Sequence, residues 1–254
     1  MIAATWWGHS SVGLEFGVTR LFLDPLLTAR LAHLRRRHPV PPVSCATADV
    51  VLISHLHGDH LHVPSLRRFP SDALLVVPRG AAPLLRGLPN RHVEVEPGDR
   101  IDLDGVGLEV LPAHHDGRRW AWSRRRGPAL GFRIESPDGS CWYPGDTGLF
   151  DQMRDITPVD LALVPIGGWG PTLGEEHLDP AQACEAVTRV GARHALPVHY
   201  GTYWPIGMGL ARRTHDRLFV RPAQVFGQRM GERLPEVCVH VPRPGERVQL
   251  PSAR

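Results

Sequence analysis

Lysine is missing from this 254-residue chain, so all 29 of its basic side chains are arginine. That removes Schiff-base chemistry and lysine nucleophiles from consideration. Cysteine is scarce: Cys45, Cys141, Cys184 and Cys238 are widely scattered, with no Cys-x-x-Cys pair. Neither a zinc ribbon nor a dithiol redox motif is indicated, and the four read as buried free thiols of a cytosolic protein. No stretch of about 18 apolar residues occurs, which argues against a membrane-spanning helix. The opening Met1 to His9 has no basic lead and no long apolar run, so it does not read as a secretion signal, and a cytoplasmic location is expected. Excess charge is lacking too. The net charge of +3 is too small to argue for nucleic acid. Nothing in the sequence fixes the oligomeric state.

What is present points to one large core. The hydrophobic share is 42%, and sandwich and barrel folds of this length commonly form one domain, so a single domain over residues 1–254 is expected. Short β-type runs bounded by Gly, Pro and Asp cover Ala3 to Trp7, Ser11 to Phe16, Thr19 to Leu23, Asp49 to Ile53, Ala73 to Val77 and His92 to Val95. Others cover Val106 to Leu111, Ala129 to Glu135, Ser140 to Tyr143, Leu161 to Pro165 and Ala195 to His199. Helical spacing predicts short helices over Pro64 to Phe69 and Arg79 to Arg86, one over Pro180 to Val190 with an Asp cap and Pro at its start, and one over Pro222 to Arg233. A closing strand pair is expected between Val237 and Leu250. Strands interleaved with helices imply an α/β (α+β) arrangement of two packed sheets with helices outside. Two arginine-rich stretches, Leu27 to Pro42 and Asp116 to Pro128, are either solvated surface or walls of a cleft.

The informative run is His55-Leu56-His57-Gly58-Asp59-His60. The apolar strand Val50 to Ile53 ends in Ser54 and then emits three histidines and an aspartate within six residues. Residues two apart on an extended chain face one side, so His55 and His57 can hold one ion; a turn at Gly58 would aim Asp59 and His60 at a second. Imidazole and carboxylate donors suit Zn²⁺, and also Mn²⁺ or Fe²⁺, whereas a structural zinc site would use thiolates.

This His-x-His-x-Asp-His run after an apolar strand resembles the signature of the metallo-β-lactamase superfamily. The resemblance implies an αββα sandwich with metals at one edge, completed by three later ligands. Matching residues stand in order: His114-His115 after the strand ending at Leu111, Asp146 in Gly145-Asp146-Thr147, and His199 in His199-Tyr200-Gly201-Thr202. The family pattern then implies that His55, His57 and His115 hold one metal, that Asp59, His60 and His199 hold the other, and that Asp146 bridges them. Pattern matching favours His115, with adjacent His114 as the alternative because neighbours on an extended segment face opposite ways.

Gly8-His9-Ser10-Ser11, Leu23-Asp24-Pro25 and His177-Leu178-Asp179-Pro180 resemble the branch containing N-acyl-phosphatidylethanolamine phospholipase D and ascorbate-6-phosphate lactonase-like proteins. The implied reaction is attack of a metal-bound hydroxide on a phosphodiester, ester or lactone, with two divalent ions, most simply Zn²⁺. Asp59 would also accept the nucleophile's proton. His177 would orient or protonate a substrate oxygen, or else cap and pack at a helix start. His9 and Asp24 would fix ligand orientation, though Asp24 before a proline is equally a turn residue. Arg118 and Arg119, directly after His115, would draw an anionic small-molecule substrate, the plainer reading being a solvated face. Trp169 and Trp204 are candidates for pocket wall or core. The alternatives are a non-hydrolytic sensor or redox-type protein of the same fold, or a structural protein with a decayed site. Gly58-Asp59, where di-iron oxygen-reducing members carry a Glu, speaks against the redox-type alternative, and the filled ligand positions speak against decay.

Overall fold

The computed structural model describes residues 1–120, 122–168, 173–207 and 211–251. Trp169 lies outside them. The first sheet contains β1 (Ile2–Gly8), β2 (Ser11–Phe16), β3 (Thr19–Leu23), β6 (Val50–Leu52), β7 (Leu74–Pro78), β8 (His92–Val95) and β17 (Arg247–Gln249), in the order β17-β1-β2-β3-β6-β7-β8. The second runs β16-β14-β13-β12-β11-β10-β9, from β9 (Arg100–Leu103), β10 (Val106–Pro112), β11 (Leu130–Ser136), β12 (Gly139–Tyr143), β13 (Leu161–Pro165), β14 (His194–Val198) and β16 (Cys238–Val239).

Period-two alternation faces the sheets toward each other. Ile2, Ala4, Trp6, Val12, Leu14, Phe16, Leu21 and Leu23 meet Leu108, Val110, Phe132, Ile134, Leu161, Leu163, Leu196 and Val198 in a dry layer. The central strands β6 and β13 pair in parallel with their later neighbours and are apolar on both faces, as strands covered on both sides must be. On the outer face of the first sheet, Val51, Leu75 and Val77 pack with Leu61 and Leu66 around α1 (Val63–Leu66). On the outer face of the second, Ala162, Val164 and Ala195 pack beneath α2 (Pro180–Val190) and α4 (Arg221–Arg233). The αββα sandwich expected from the sequence is therefore the fold.

The start of α2 follows its local code. Asp179 accepts from the backbone amides of Ala181 and Gln182, while the Gln182 side chain accepts from the Asp179 amide. Pro180 needs no donor at the first turn, and Gly191 closes the helix in a left-handed conformation.

Several expectations are corrected. The closing strands are not a pair: β16 runs parallel to β14 in the second sheet, whereas β17 pairs with β1 in the first, so the C-terminal segment crosses the open side of the sandwich. Arg79 to Arg86 holds only a 3-10 turn over Ala82–Leu84, because left-handed Gly80 and Gly87 bracket a segment too short for an α-helix. The expected helix from Pro64 to Phe69 shortens to α1. The loop from Leu27 to Pro42 contains β4 (Arg30–Leu31) and β5 (Leu34–Arg36), which form a small sheet with β15 (Tyr203–Pro205). Its Arg36 is a buried strut whose guanidinium donates to the Leu26 carbonyl and the Tyr203 hydroxyl. Cys45, Cys141 and Cys184 are buried, but Cys238 is exposed. No helix among the described residues is long and apolar enough to cross a membrane. Before α4, a short α3 (Arg212–His215) passes into a π-helical turn over Asp216–Val220.

Candidate metal centre

Six connections leave their strands at one edge of the sandwich. They place His9 after β1, Asp24 after β3, His55 to His60 after β6, His115 after β10, Asp146 after β12 and His199 after β14. His9, Asp24 and His199 adopt positive φ, of 54°, 37° and 59°. Such a backbone is uncommon for residues with a Cβ and gathers where the fold holds side chains in fixed directions. Gly145, with φ 64°, makes the close approach that sets Asp146 against the motif loop, since a Cβ there would lie 2.5 Å from the Ser54 Cβ. The turn expected at Gly58 is present, closed by the His60 and Leu61 amides on the His57 carbonyl; its φ is not positive, and a Cβ there would meet the Trp120 ring at 3.2 Å.

Two groups of donors result. In the first, His57 Nδ1 lies 2.8 Å from His55 Nε2 and 3.2 Å from His115 Nε2. A tetrahedral zinc ion with Zn–N bonds of about 2.0–2.1 Å would hold its nitrogens about 3.3 Å apart; the His57–His115 spacing suits that, and His55 stands somewhat closer to His57. His114 is not in the group: its amide donates to Thr147 Oγ1 and its carbonyl accepts from the Gly148 amide. In the second, donor atoms of His9, Asp59, His60 and His199 lie within 4.8 Å of one another. Asp146 stands between the groups, its Oδ2 at 3.0 Å from His199 Nε2, 3.3 Å from His60 Nε2 and 3.6 Å from His177 Nε2.

Asp146 Oδ1 is buried with no hydrogen-bond partner, and the buried His60 and His199 Nε2 atoms face the other oxygen of the same carboxylate. Buried polar atoms are seldom left without a partner. Imidazole nitrogens and carboxylate oxygens gathered this closely in a buried place are a donor set that fits divalent cations.

The electrostatics agree with that reading. Burial, then proximity to His60, keeps the His55 pKa well below its ordinary value. Burial brings His57 down to about 4, and burial with neighbouring His199 brings His9 to about 4. All three are neutral donors near pH 7. Burial opposes charge on Asp146 and Asp59, but His199 and His60 around the first, and His60 and His9 around the second, hold both carboxyls well below the usual range. Burial also opposes a charged His60, yet Asp146, Asp24 and Asp59 outweigh it and raise its pKa well above the ordinary value. His177 is raised as well, with burial again overcome by Asp146.

Behind the ligands, Asp24 binds His60 Nδ1 at 2.7 Å and accepts from the Ser54 amide and the Tyr143 hydroxyl. His199 Nδ1 is held at 3.0 Å from the Gly167 carbonyl and His115 Nδ1 at 3.1 Å from the Glu176 carbonyl. Such contacts fix ring orientation and tautomer. The Ser54 and Tyr143 contacts were not anticipated; Ser54 directly before His55 was the available signal, and Tyr143 offered none.

Both arginines have partners within the chain. Arg118 is half-buried and paired with Asp116 at 2.5 Å. Arg119 Nη1 donates to the carbonyls of Leu56 and Leu61, at 2.7 and 2.8 Å, and its guanidinium lies over Trp120. It clamps the ligand loop from outside. A cavity of about 720 Å³ opens instead from His9, His199 and Gly167, and is walled by Tyr200, Tyr203, Leu218 and Phe219. Sequence reasoning missed this wall. Trp204 is buried and stacks on Phe219 with ring centroids 4.8 Å apart.

Comparison with known proteins agrees with the geometry. A family model described as a β-lactamase superfamily domain matches residues 19–200. An uncharacterized protein of Mycobacterium tuberculosis is 32% identical over 269 residues, covering 97% of this chain and 68% of its own length. A metal-dependent hydrolase of Thermococcus onnurineus is 30% identical over 220 residues, covering 81% of this chain and 88% of its own. The structure of a metallo hydrolase from Ignicoccus hospitalis superposes with a TM-score of 0.74 at 24% identity over 97% of both chains. An isothiocyanate hydrolase from Delia radicum gut bacteria gives 0.73 at 16% identity over 99% of this chain and 100% of its own. At these identities the two solved structures show a shared fold.

Proposed function

The chain belongs to the β-lactamase superfamily and is a metal-dependent hydrolase, and from that premise we propose that it cleaves an ester or lactone bearing an apolar group, at a centre holding two divalent cations. The observation that carries the reading is the pair of donor groups joined by Asp146, whose buried carboxylate lies within 3.3 Å of both His60 Nε2 and His199 Nε2. His55, His57 and His115 would hold one ion, Asp59, His60 and His199 the other, and Asp146 both. Zinc suits this nitrogen and oxygen set. When bound, the ions supply Lewis acidity, activating water and polarising the carbonyl oxygen.

The chain's own groups do the rest. Asp59, 3.1 Å from His9 Nε2, accepts a proton from the attacking water. The water oxygen bonds to the acyl carbon, the bond to the leaving oxygen breaks, and His177 gives that oxygen a proton. Asp24 keeps the His60 ring turned inward. The cavity at His9 and His199, whose wall joins Leu218, Phe219 and Val225 with Arg217 and Arg221, takes the rest of the substrate, its hydrocarbon part against the apolar wall. Arg118 and Arg119 are committed to Asp116 and the ligand loop, which favours an ester or lactone over a phosphodiester held by those arginines.

The test is a panel of 4-nitrophenyl esters, simple lactones and bis-4-nitrophenyl phosphate, run with metal-loaded, metal-stripped and Asp146→Ala protein. Hydrolysis of esters or lactones that needs metal and is lost in the variant is expected. Faster turnover of the phosphodiester would overturn the substrate class. Full metal loading with no hydrolysis of any kind would instead point to a non-hydrolytic metal protein of the same fold.

A further inference from the structure

A second group of metal-binding side chains stands at the other end of β14. His194 opens that strand and His199 follows it, so the two ends are about 16 Å apart at the usual rise per residue. β16 lies beside β14 at the sheet edge, parallel to it, with His194 opposite Cys238 and Ala195 opposite Val239. In Cys238-Val239-His240 the first and third residues face one way and the middle one the other. Val239 and Ala195 turn to the helical layer, which leaves His194, Cys238 and His240 together on the opposite face.

The contacts follow from that register. His194 Nδ1 is 3.1 Å from His240 Nε2, the rings lie nearly parallel at 29°, and the ligand atoms of all three residues lie within 4.8 Å of one another. A zinc ion bonded to sulfur at about 2.3 Å and to nitrogen at about 2.0–2.1 Å needs ligand separations of about 3.3–3.6 Å. The two imidazoles are close to that distance, and Cys238, exposed at the edge, has room to close on the ion.

We propose that His194, Cys238 and His240 form a separate site for a thiophilic divalent cation, zinc by its donor set, with a fourth position open to solvent. Two imidazoles and a thiolate distinguish it from the sulfur-free centre at the other edge. Its consequence is mechanical. The two-residue strand β16 is held by few backbone bonds, among them those from the Cys238 amide to the Arg193 carbonyl and from the His240 amide to the Ala195 carbonyl. A bound ion would fasten this edge strand to β14. Binding releases the thiol proton to solvent.

Cobalt substitution tests the site without using hydrolysis. Metal-stripped full-length protein, kept reduced, is titrated with Co²⁺ while thiolate-to-cobalt charge-transfer absorption is recorded. The hydrolytic centre has no sulfur ligand, and among the described residues the buried Cys45, Cys141 and Cys184 belong to no such cluster. The band is expected in the unaltered chain, absent in Cys238→Ala and weakened or absent in His240→Ala. Cys238→Ala should also bind one equivalent fewer of zinc with unchanged hydrolysis. Absence of the band at saturating Co²⁺, its persistence in Cys238→Ala, or equal zinc content in the two proteins would overturn the proposal.

Discussion

Asp24 Oδ2 lies 2.7 Å from His60 Nδ1, with both side chains sealed from solvent. One carboxylate thereby ties β3 to the motif loop after β6, because it also accepts from the Ser54 amide at 2.8 Å and from the Tyr143 hydroxyl. Replacing it separates orientation from burial. Asp24→Asn keeps the shape and tolerates the positive φ, and is expected to lower metal affinity about 10- to 100-fold, the usual effect of losing a partner behind a ligand. Asp24→Ala leaves several buried polar groups without partners and should also destabilise the fold by about 3 kcal/mol or more. Chelator competition and thermal unfolding measure the two effects; unchanged affinity in Asp24→Asn would show that His60 needs no such support.

The raised pKa of His60 has a pH consequence. In metal-free protein His60 carries a proton at neutral pH, and an ion binding there must displace it. Metal affinity should therefore fall as pH falls, with about one proton released at this position near pH 7. His55, His57 and His9 are already neutral and add little. Calorimetry in two buffers of different ionisation enthalpy reads the release as a difference in heat. Identical heats would contradict a protonated His60.

His177 separates a proton donor from a further ligand. Its Nε2 is 3.6 Å from Asp146 Oδ2 and its Nδ1 3.2 Å from the Leu173 carbonyl. As a proton donor, its removal in His177→Ala should cost about 10²–10⁴ in kcat with metal content unchanged. Loss of an equivalent of metal would make it a ligand.

The adjacent histidines give a sharp contrast. His115→Ala should lose the ion held with His55 and His57, and His114→Ala should keep it, because only the His115 ring reaches His57. Metal analysis of the two purified variants decides; the opposite pattern would mean that the loop rearranges on loading.

Arg119→Ala removes two hydrogen bonds from a charged donor to the Leu56 and Leu61 carbonyls. A stability loss of about 2–4 kcal/mol is expected, accompanied by weaker metal retention. Arg118→Ala should leave KM within about fivefold at any salt concentration, because its guanidinium is already paired with Asp116 at the surface. A large, salt-dependent rise in KM for Arg118→Ala would restore that arginine as an anion-binding group.

Much of this architecture was legible in the chain. Ser11–Phe16, Thr19–Leu23, His92–Val95, Leu161–Pro165 and Pro180–Val190 begin and end where alternation, turn residues and capping place them, because those signals act over a few residues. The strands β16 and β17 misled for the opposite reason. Two short runs near each other in sequence read as a hairpin, yet their partners are β14 and β1, and strand pairing depends on which edges are free after the sheets have packed. The small sheet of β4, β5 and β15 was equally hidden, since Tyr203 to Pro205 pair with a segment almost 170 positions earlier.

By itself the sequence determined the dense part of the site: His55, His57, Asp59 and His60 are bound within six residues by covalent spacing, and an apolar strand before them sets their direction. Resemblance added His115, Asp146 and His199 in order. Only the tertiary structure placed His115 rather than His114 beside His57, brought His9 among the ligand atoms of Asp59, His60 and His199, turned Arg119 into a clamp, and opened an apolar cavity between β14 and the segment before α4. The physical reason is range. Neighbours along the chain are fixed by bond geometry, while groups more than a hundred residues apart meet only when two sheets have buried their apolar faces and left six strand ends at one edge.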